Sequence, residues 1–127
     1  MRAIEVSIEG GSISGNGIIN VTRGDSFSIK VKEVEFNAEG TPLILEPGDT
    51  LYFGLMEPHQ PFENALIRKA EEIQAGYEGE ITFDFSSEMT EFLLPGAYYY
   101  SIKAKRDGVP NECVRTLRKK TRINILD

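Results

Sequence analysis

Residues 26–32 read Ser26-Phe27-Ser28-Ile29-Lys30-Val31-Lys32, an unbroken alternation of polar and apolar side chains. In a β-strand, successive side chains point to opposite faces of the sheet, so residues two apart share a face. The alternation therefore predicts a strand with Phe27, Ile29 and Val31 directed into a core. The polar residues between them are predicted to face water.

The same period recurs along most of the chain and extends the predicted core to three further strands. Turn-forming residues separate the alternating runs, for example Pro47-Gly48-Asp49 and Pro95-Gly96. Shorter strands are predicted near residues 4–8 and 18–22, and a last strand runs through residues 117–125. The core residues predicted beyond the first run are Leu51, Phe53, Leu55, Ile81, Phe83, Phe85, Tyr98, Tyr100 and Ile102.

Together these runs predict an all-β fold, a two-sheet antiparallel sandwich of about seven to nine short strands. Two segments depart from the alternation. Residues 62–73 contain strong helix formers, with apolar residues such as Phe62 and Leu66 at helical spacing, so both helix and strand remain open there. Residues 86–93 are predicted to form one short helical turn, because serines precede Glu88 and a proline-glycine pair follows.

The length of 127 residues, with 40% hydrophobic and 27% charged residues, is typical of one globular domain. Residues 1–17 end in a glycine-rich stretch and are predicted to be an N-terminal strand, arm or hairpin extension. Residues 18–127 are predicted to form the sandwich. The single cysteine, Cys113, and the lack of an apolar secretory run predict synthesis and folding in a reducing cytoplasm.

Charge is distributed unevenly along the chain. The net charge of −6 argues against a nucleic-acid partner, yet residues 114–127 contain five basic residues and one acidic residue. Two interpretations stay open: the cations protect the edge of a solvent-facing strand, or they dock onto an acidic partner or another copy of the chain. The residues of this candidate interface are Arg115, Arg118, Lys119, Lys120 and Arg122.

No catalytic or ligand-binding constellation emerges from residue types and spacing. His59 is the one histidine, and no further ligands lie at a metal-binding spacing from it. It would also have to act as the base for a Cys113 nucleophile. Gly15-Asn16-Gly17 lacks the additional glycines and the helix of a dinucleotide loop. The sequence therefore predicts no enzyme, no cofactor, no metal, no membrane partner and no small-molecule substrate.

Two features are compatible with binding. Arg23-Gly24-Asp25-Ser26 spells an adhesive tripeptide read by integrins, but its glycine and aspartate also suit the turn that opens the next strand, and the turn is favoured. Tyr52, Tyr77 and Tyr99 are predicted to be partly exposed rings that cover the sheet surface or an interface.

Three segments in a fixed order carry a family resemblance: residues 21–29 (VTRGDSFSI), 79–85 (GEITFDF) and 94–100 (LPGAYYY). They resemble the immunoglobulin-like domains of tailed bacteriophages and prophages, most closely the N-terminal domain of baseplate upper proteins. The resemblance implies an immunoglobulin-like sandwich in which the hydroxyl of Tyr98 closes the corner before the penultimate strand. It also favours a strand over a helix for residues 65–70.

The resemblance further implies a non-enzymatic structural or assembly protein of a phage or prophage virion, with the baseplate or tail favoured over the head or neck. The implied partners are other copies of the chain, other virion proteins, or both. The implied final location is the virion. The alternative is a bacterial carbohydrate- or surface-binding β-sandwich module, because one fold can serve unrelated functions. The sequence leaves the oligomeric state and the identity of the partner open.

Overall fold

Nine strands and two short helical turns make up the part of the chain that the structure, a computed structural model, describes: residues 2–35, 42–106 and 113–127. The strands are β1 (Arg2–Glu9), β2 (Ser12–Ile13), β3 (Ile19–Thr22), β4 (Phe27–Glu35), β5 (Asp49–Met56), β6 (Ile67–Glu72), β7 (Glu80–Phe85), β8 (Gly96–Arg106) and β9 (Cys113–Leu126). The turns are a 3-10 turn at Phe62–Asn64 and the α-helical turn α1 at Ser87–Glu91.

The strands form two sheets that pack face to face. One has three strands in the order β1-β4-β7, and the other has six in the order β2-β3-β9-β8-β5-β6. In the letters used for immunoglobulin domains, β1, β4 and β7 take the places of A, B and E, and β5, β8 and β9 take those of C, F and G. The predicted all-β two-sheet sandwich is confirmed. One described pair, β3 with β9, is parallel, and the others are antiparallel.

Aromatic rings fill the space between the two sheets. Phe27 and Phe85 stack with their centroids 4.5 Å apart, and Phe53 meets Phe85 edge-on at 5.0 Å. Among the predicted core residues, Ile81 is only partly buried, near the start of the edge strand β7. The buried ones are Phe27, Ile29, Val31, Leu51, Phe53, Leu55, Phe83, Phe85, Tyr98, Tyr100 and Ile102.

The corner between α1 and β8 is closed by a tyrosine, as the resemblance implies. Tyr98 is buried and donates its hydroxyl hydrogen bond to the backbone carbonyl of Leu94 at 2.7 Å. This contact ties the start of β8 to the chain segment that crosses between the sheets. It is the corner found before strand F in immunoglobulin-like sandwiches.

We expect Tyr98→Phe to lower the free energy of unfolding by about 1–2 kcal/mol, because the Leu94 carbonyl loses its donor at a partly buried position. Urea denaturation of the purified variant measures this loss. Tyr99→Phe is the matched control, since Tyr99 is the next residue, is half-buried, and does not take part in the hydrogen bond between Tyr98 and Leu94. An equal effect of the two substitutions would contradict the role of the corner.

Within residues 62–73, Phe62–Asn64 form a 3-10 turn and Ile67–Glu72 form a strand, so the helical alternative is wrong. After the turn at Phe62–Asn64, β6 pairs with β5, with Ile67 opposite Leu55 and Glu72 opposite Thr50. Backbone hydrogen bonds to the edge of the six-stranded sheet outweigh the intrinsic helix propensity of these residues.

The first 17 residues are integrated into the sandwich. β1 pairs with β4 along its whole length, from Arg2 opposite Glu35 to Glu9 opposite Ser28. The glycine-rich turn after it is tightly packed, because a Cβ atom on Gly10 would lie 2.6 Å from the Ser26 carbonyl oxygen. Gly10 also has a φ of 86°, which L side chains rarely adopt. The predicted boundary between residues 17 and 18 therefore lies between strands that contribute to the same core.

Candidate interaction faces of the two sheets

The basic residues predicted as an interface do not act as one surface. Arg115 lies opposite Ala104, whose side chain is in the core. The Arg115 side chain therefore lies on the inner side of β9. It donates to the Asp49 carboxylate at 3.2 Å and to the Ile44 carbonyl at 3.0 Å. Arg115 is therefore engaged by its own chain, with 32% of its side chain exposed.

Asp49 is the centre of this ionic cluster. Its side chain is 1% exposed and receives the Arg106 Nε at 2.8 Å as well as the backbone N–H of Glu46 at 3.0 Å. Burial alone would raise the pKa of Asp49, but the hydrogen bonds from Arg106 and from the Glu46 backbone, together with the charges of Arg106 and Arg115, outweigh it and hold the pKa below its usual value. The cluster joins the start of β5 to β8 and β9.

A second buried carboxylate, Glu33 on β4, is also satisfied within the chain. It accepts hydrogen bonds from the backbone N–H groups of Ile44 and Leu45 and from the Tyr77 hydroxyl, the last at 2.7 Å. Three donors on one carboxylate fasten the segment before β5 to the three-stranded sheet. The arrangement is structural, and it accounts for Tyr77, one of the rings predicted to be partly exposed.

Arg118 is half-buried and also lies on the inner side of β9, opposite Ile102. Its guanidinium covers Gly17, whose carbonyl accepts the hydroxyl of the buried Tyr100 at 2.6 Å. Burial raises the pKa of Tyr100, and the nearby charge of Arg118 partly opposes that rise. Arg118 therefore faces the seam between the two sheets.

The remaining predicted interface residues are exposed. Lys120 donates to the Gln60 carbonyl at 2.8 Å, and Arg122 lies opposite Tyr99 on the outer side of the six-stranded sheet. Lys119 lies in the middle of β9 and is exposed as well. These three keep the accessibility that an interface needs.

Other strands bring further cations to the same outer side. Register places Lys103 and Lys105 of β8 and Arg68 of β6 on the face that carries Arg122. Among the strand residues of this side, Glu72 supplies the one carboxylate. The basic face is defined here by Arg68, Lys103, Lys105, Lys120 and Arg122.

An aromatic ring lies in the middle of the basic face. The turn before β6 places Phe62 across Gly54, where a Cβ atom would lie 2.6 Å from the ring. The Lys103 ammonium lies 4.6 Å from the Phe62 centroid and the Arg68 guanidinium 5.8 Å from it. Cations over a ring face are attracted by its quadrupole, so Phe62 holds these two side chains in place.

The outer side of the three-stranded sheet has the opposite charge. Its strand residues include the acidic Glu5 and Glu9 of β1 and Glu80 and Asp84 of β7, with two lysines of β4 between them. Lys30 is paired with Glu80 at 3.3 Å. The acidic face is defined here by Glu5, Glu9, Glu80 and Asp84.

The adhesive tripeptide is part of a turn that is anchored to α1. The backbone N–H of Gly24 donates to the Thr90 hydroxyl at 3.0 Å, and the Arg23 Nε donates to the Glu91 carbonyl at 2.9 Å. These contacts hold one of the segments that carry the resemblance, residues 21–29, against the helical turn that lies between the other two. The turn is thereby given a structural role.

The other residues considered for chemistry are dispersed. His59 is exposed in the loop that follows β5, and Gly15-Asn16-Gly17 forms part of the turn before β3. The side chain of Cys113 lies outside the part of the chain that the structure describes. Within residues 2–35, 42–106 and 113–127, no three His, Cys, Asp or Glu side chains come together to hold a metal ion.

Comparisons with known proteins give a distant likeness in structure. No protein-family model matches the chain, and no curated protein does. One similar solved structure is AggA, the major subunit of aggregative adherence fimbriae type I from Escherichia coli. Its TM-score is 0.37 at 9% sequence identity, and the match covers 98% of this chain and 95% of that chain. At this score the likeness carries no argument about function.

No helix in the described parts of the chain has the length and hydropathy required to cross a bilayer.

Proposed function

We propose that the chain is a non-enzymatic structural or assembly protein of a bacteriophage or prophage virion, with the tail or baseplate favoured over the head or neck. The observation that carries the assembly role is the separation of charge between the basic face and the acidic face. The virion setting rests on the resemblance of residues 21–29, 79–85 and 94–100 to phage immunoglobulin-like domains.

Opposite charges on the two outer sides allow association without a large apolar patch. The basic face of one copy complements the acidic face of the next, or the acidic surface of another virion protein. Complementary potentials steer encounter and fix register more than they add affinity. A contact between two different faces is heterologous, so repeating it produces a ring or a filament.

We expect self-association that weakens between about 0.05 and about 0.5 M salt, because added ions screen exposed charges. Arg122→Glu on the basic face and Glu5→Lys on the acidic face should each weaken it, and mixing the two variants should give dimers, because one intact basic face meets one intact acidic face. Light scattering across the salt series measures the mass. Glu91→Lys on α1 is the control, since this exposed residue at the end of the sandwich belongs to neither face.

The variants separate the two kinds of partner. If both substitutions weaken self-association, copies of the chain stack through the two faces. If Arg122→Glu alone abolishes a complex with another protein, that protein is an acidic partner. A monodisperse monomer at low salt and high protein concentration would contradict self-association.

The virion setting is tested on purified particles. A tagged chain expressed in a host during phage production should band with the particles in a density gradient, and Arg122→Glu should reduce that amount. Absence of the wild-type chain from the particles would refute the proposal. Absence combined with measurable glycan binding would favour the alternative of a surface-binding module.

A further inference from the structure

One edge of β9 has no strand beside it within the part of the chain that the structure describes. β8 pairs with β9 on one side, while β3 pairs on the other side only with Ile123–Leu126. Residues 115–121 therefore have no neighbouring strand on the side away from β8 among the described residues. The pairing with β8 shifts register twice along them, and the Ser101 and Thr121 hydroxyls donate to the carbonyls of Arg118 and Lys119. Such an edge is a template for another strand.

The free edge borders an open groove of about 510 Å³ between β9 and β1. β1 is itself the outer strand of the three-stranded sheet, so the groove lies where the two sheets part. The half-buried side chains of Ile4, Ile44 and Leu117 line it, and two of them, Ile4 and Leu117, also pack against the core. A strand placed here would complete the burial of these apolar side chains.

The wall of the groove beside β9 is positively charged. Arg118 and Lys119 line it, the first half-buried and the second exposed. A smaller cavity of about 330 Å³ continues along β1, shares Ile4 and Arg118 with the groove, and is also lined by Val6 and Ile13. A bound segment therefore meets cations on the β9 side and apolar side chains on the β1 side.

We infer that this groove accepts an extended acidic segment of another protein, which adds to the six-stranded sheet beside β9 and in line with β3. Backbone hydrogen bonds to residues 115–121 supply affinity, and alternate side chains supply specificity. Apolar side chains cover Ile4, Ile44 and Leu117, and carboxylates between them approach Arg118 and Lys119. The inference rests on the proposed function and deepens it by naming the surface and the chemistry of the partner.

Charge argues against a second β9 as the occupant. Two β9 edges side by side would bring Arg118, Lys119 and Lys120 of both copies together, and like charges across a strand pair are destabilising. The cations thus block pairing between identical edges, which is how natural proteins protect such edges. They leave an acidic strand as the favoured occupant.

The test uses a labelled, capped seven-residue peptide in which glutamate and valine alternate, added to the purified full chain. Fluorescence anisotropy measures binding, and hydrogen exchange measures protection of the backbone amides. We expect binding together with new protection in residues 115–121. Two control peptides, one with lysine in place of glutamate and one with the valines grouped at one end, should bind weakly.

Variants locate the contact. Lys119→Glu and Arg118→Gln should each raise the dissociation constant about fivefold, a change of the size expected for exposed or partly exposed charge pairs. Lys32→Glu is the matched control, because it is the same charge reversal at an exposed position of β4 in the other sheet, and it should change affinity less than twofold. Circular dichroism shows whether each variant is folded. Lys119 is exposed, so its variant keeps the test valid if Arg118→Gln is unstable.

Three results would overturn the inference: no binding up to millimolar peptide, equal binding of either control peptide, or binding without protection of residues 115–121. New exposure of the β1 amides would indicate instead that the peptide displaces β1. The peptide assay uses the purified chain, so its failure leaves the particle test standing. Conversely, absence from particles leaves the peptide result standing.

Discussion

Phe83→Ala is expected to lower the free energy of unfolding by about 3–5 kcal/mol, because the substitution removes a large buried side chain and leaves a cavity. Phe83 is fully buried in the middle of β7, and its ring lies 6.0 Å from that of Phe53. The cavity would open between the two sheets. Since β7 is an edge strand of its sheet, its backbone is hydrogen-bonded on one side, to β4. Urea denaturation followed by far-UV circular dichroism measures the loss.

Thr82→Ala is the matched control for this prediction. Thr82 is exposed on the same strand and points to the opposite side of the sheet. Its replacement should cost less than about 1 kcal/mol, as expected for an exposed strand position. A cost below about 1 kcal/mol for Phe83→Ala itself would show that the core around β7 relaxes into the space or that the strand phase is wrong.

Asp49→Asn is expected to lower the free energy of unfolding by about 2–3 kcal/mol. Removing one partner of a buried ion pair costs about 3–5 kcal/mol when the remaining charge is left buried. Here the two arginine side chains are 40% and 32% exposed, so water partly solvates them after the substitution. Glu46→Gln is the control, because Glu46 also pairs with Arg106, at 3.2 Å, but its side chain is 62% exposed. Its loss should stay below about 1 kcal/mol.

The contribution of Asp49 also depends on pH, with a definite sign. Its pKa in the folded chain lies below the ordinary value of 3.8. The ionised carboxylate therefore stabilises the fold fully above that ordinary value, and this stabilisation is lost as the pH falls through the folded pKa. The difference in unfolding free energy between wild type and Asp49→Asn should be constant near neutrality and shrink below about pH 4. A difference that grows on acidification would contradict the lowered pKa.

The secondary structure could be predicted where the signal was local. The alternation around Phe27 and the proline-glycine stop before Tyr98 each lie within a few residues. The helical spacing at residues 62–73 was also a local signal, but it favoured the wrong structure. The segment forms a strand because its backbone groups pair with those of β5. Its pairing partner lies more than ten residues away and leaves no trace in the spacing.

The division of the basic segment could not be predicted from alternation. Arg115 and Arg118 are three residues apart and would point to opposite faces of a regular strand. The pairing of β8 with β9 shifts register near Ile102, so both arginines lie opposite inward residues of β8. A β-bulge inserts an extra residue and changes which side chains share a face. The pairing of Arg115 with Asp49 likewise joins residues 66 positions apart.

The basic face shows the same limit of local signals. Its members come from β6, β8 and β9, and the two on β8, like the two on β9, are two residues apart in the sequence. Sheet order brings the three strands to one side, and no local spacing shows that order. Net charge along the chain therefore suggested an acidic body with a basic end, whereas the folded chain has two oppositely charged sides.

Opposite charge on the two outer sides gives the sandwich an electric dipole that runs from one sheet to the other. A charged partner approaching within a Debye length, about 8 Å at physiological ionic strength, therefore feels a torque before it touches the surface. The chain turns its matching side toward the partner during the encounter. A larger fraction of encounters therefore leads to binding. Because added salt screens this orienting effect, the association rate constant should fall more steeply with salt than the dissociation rate constant rises.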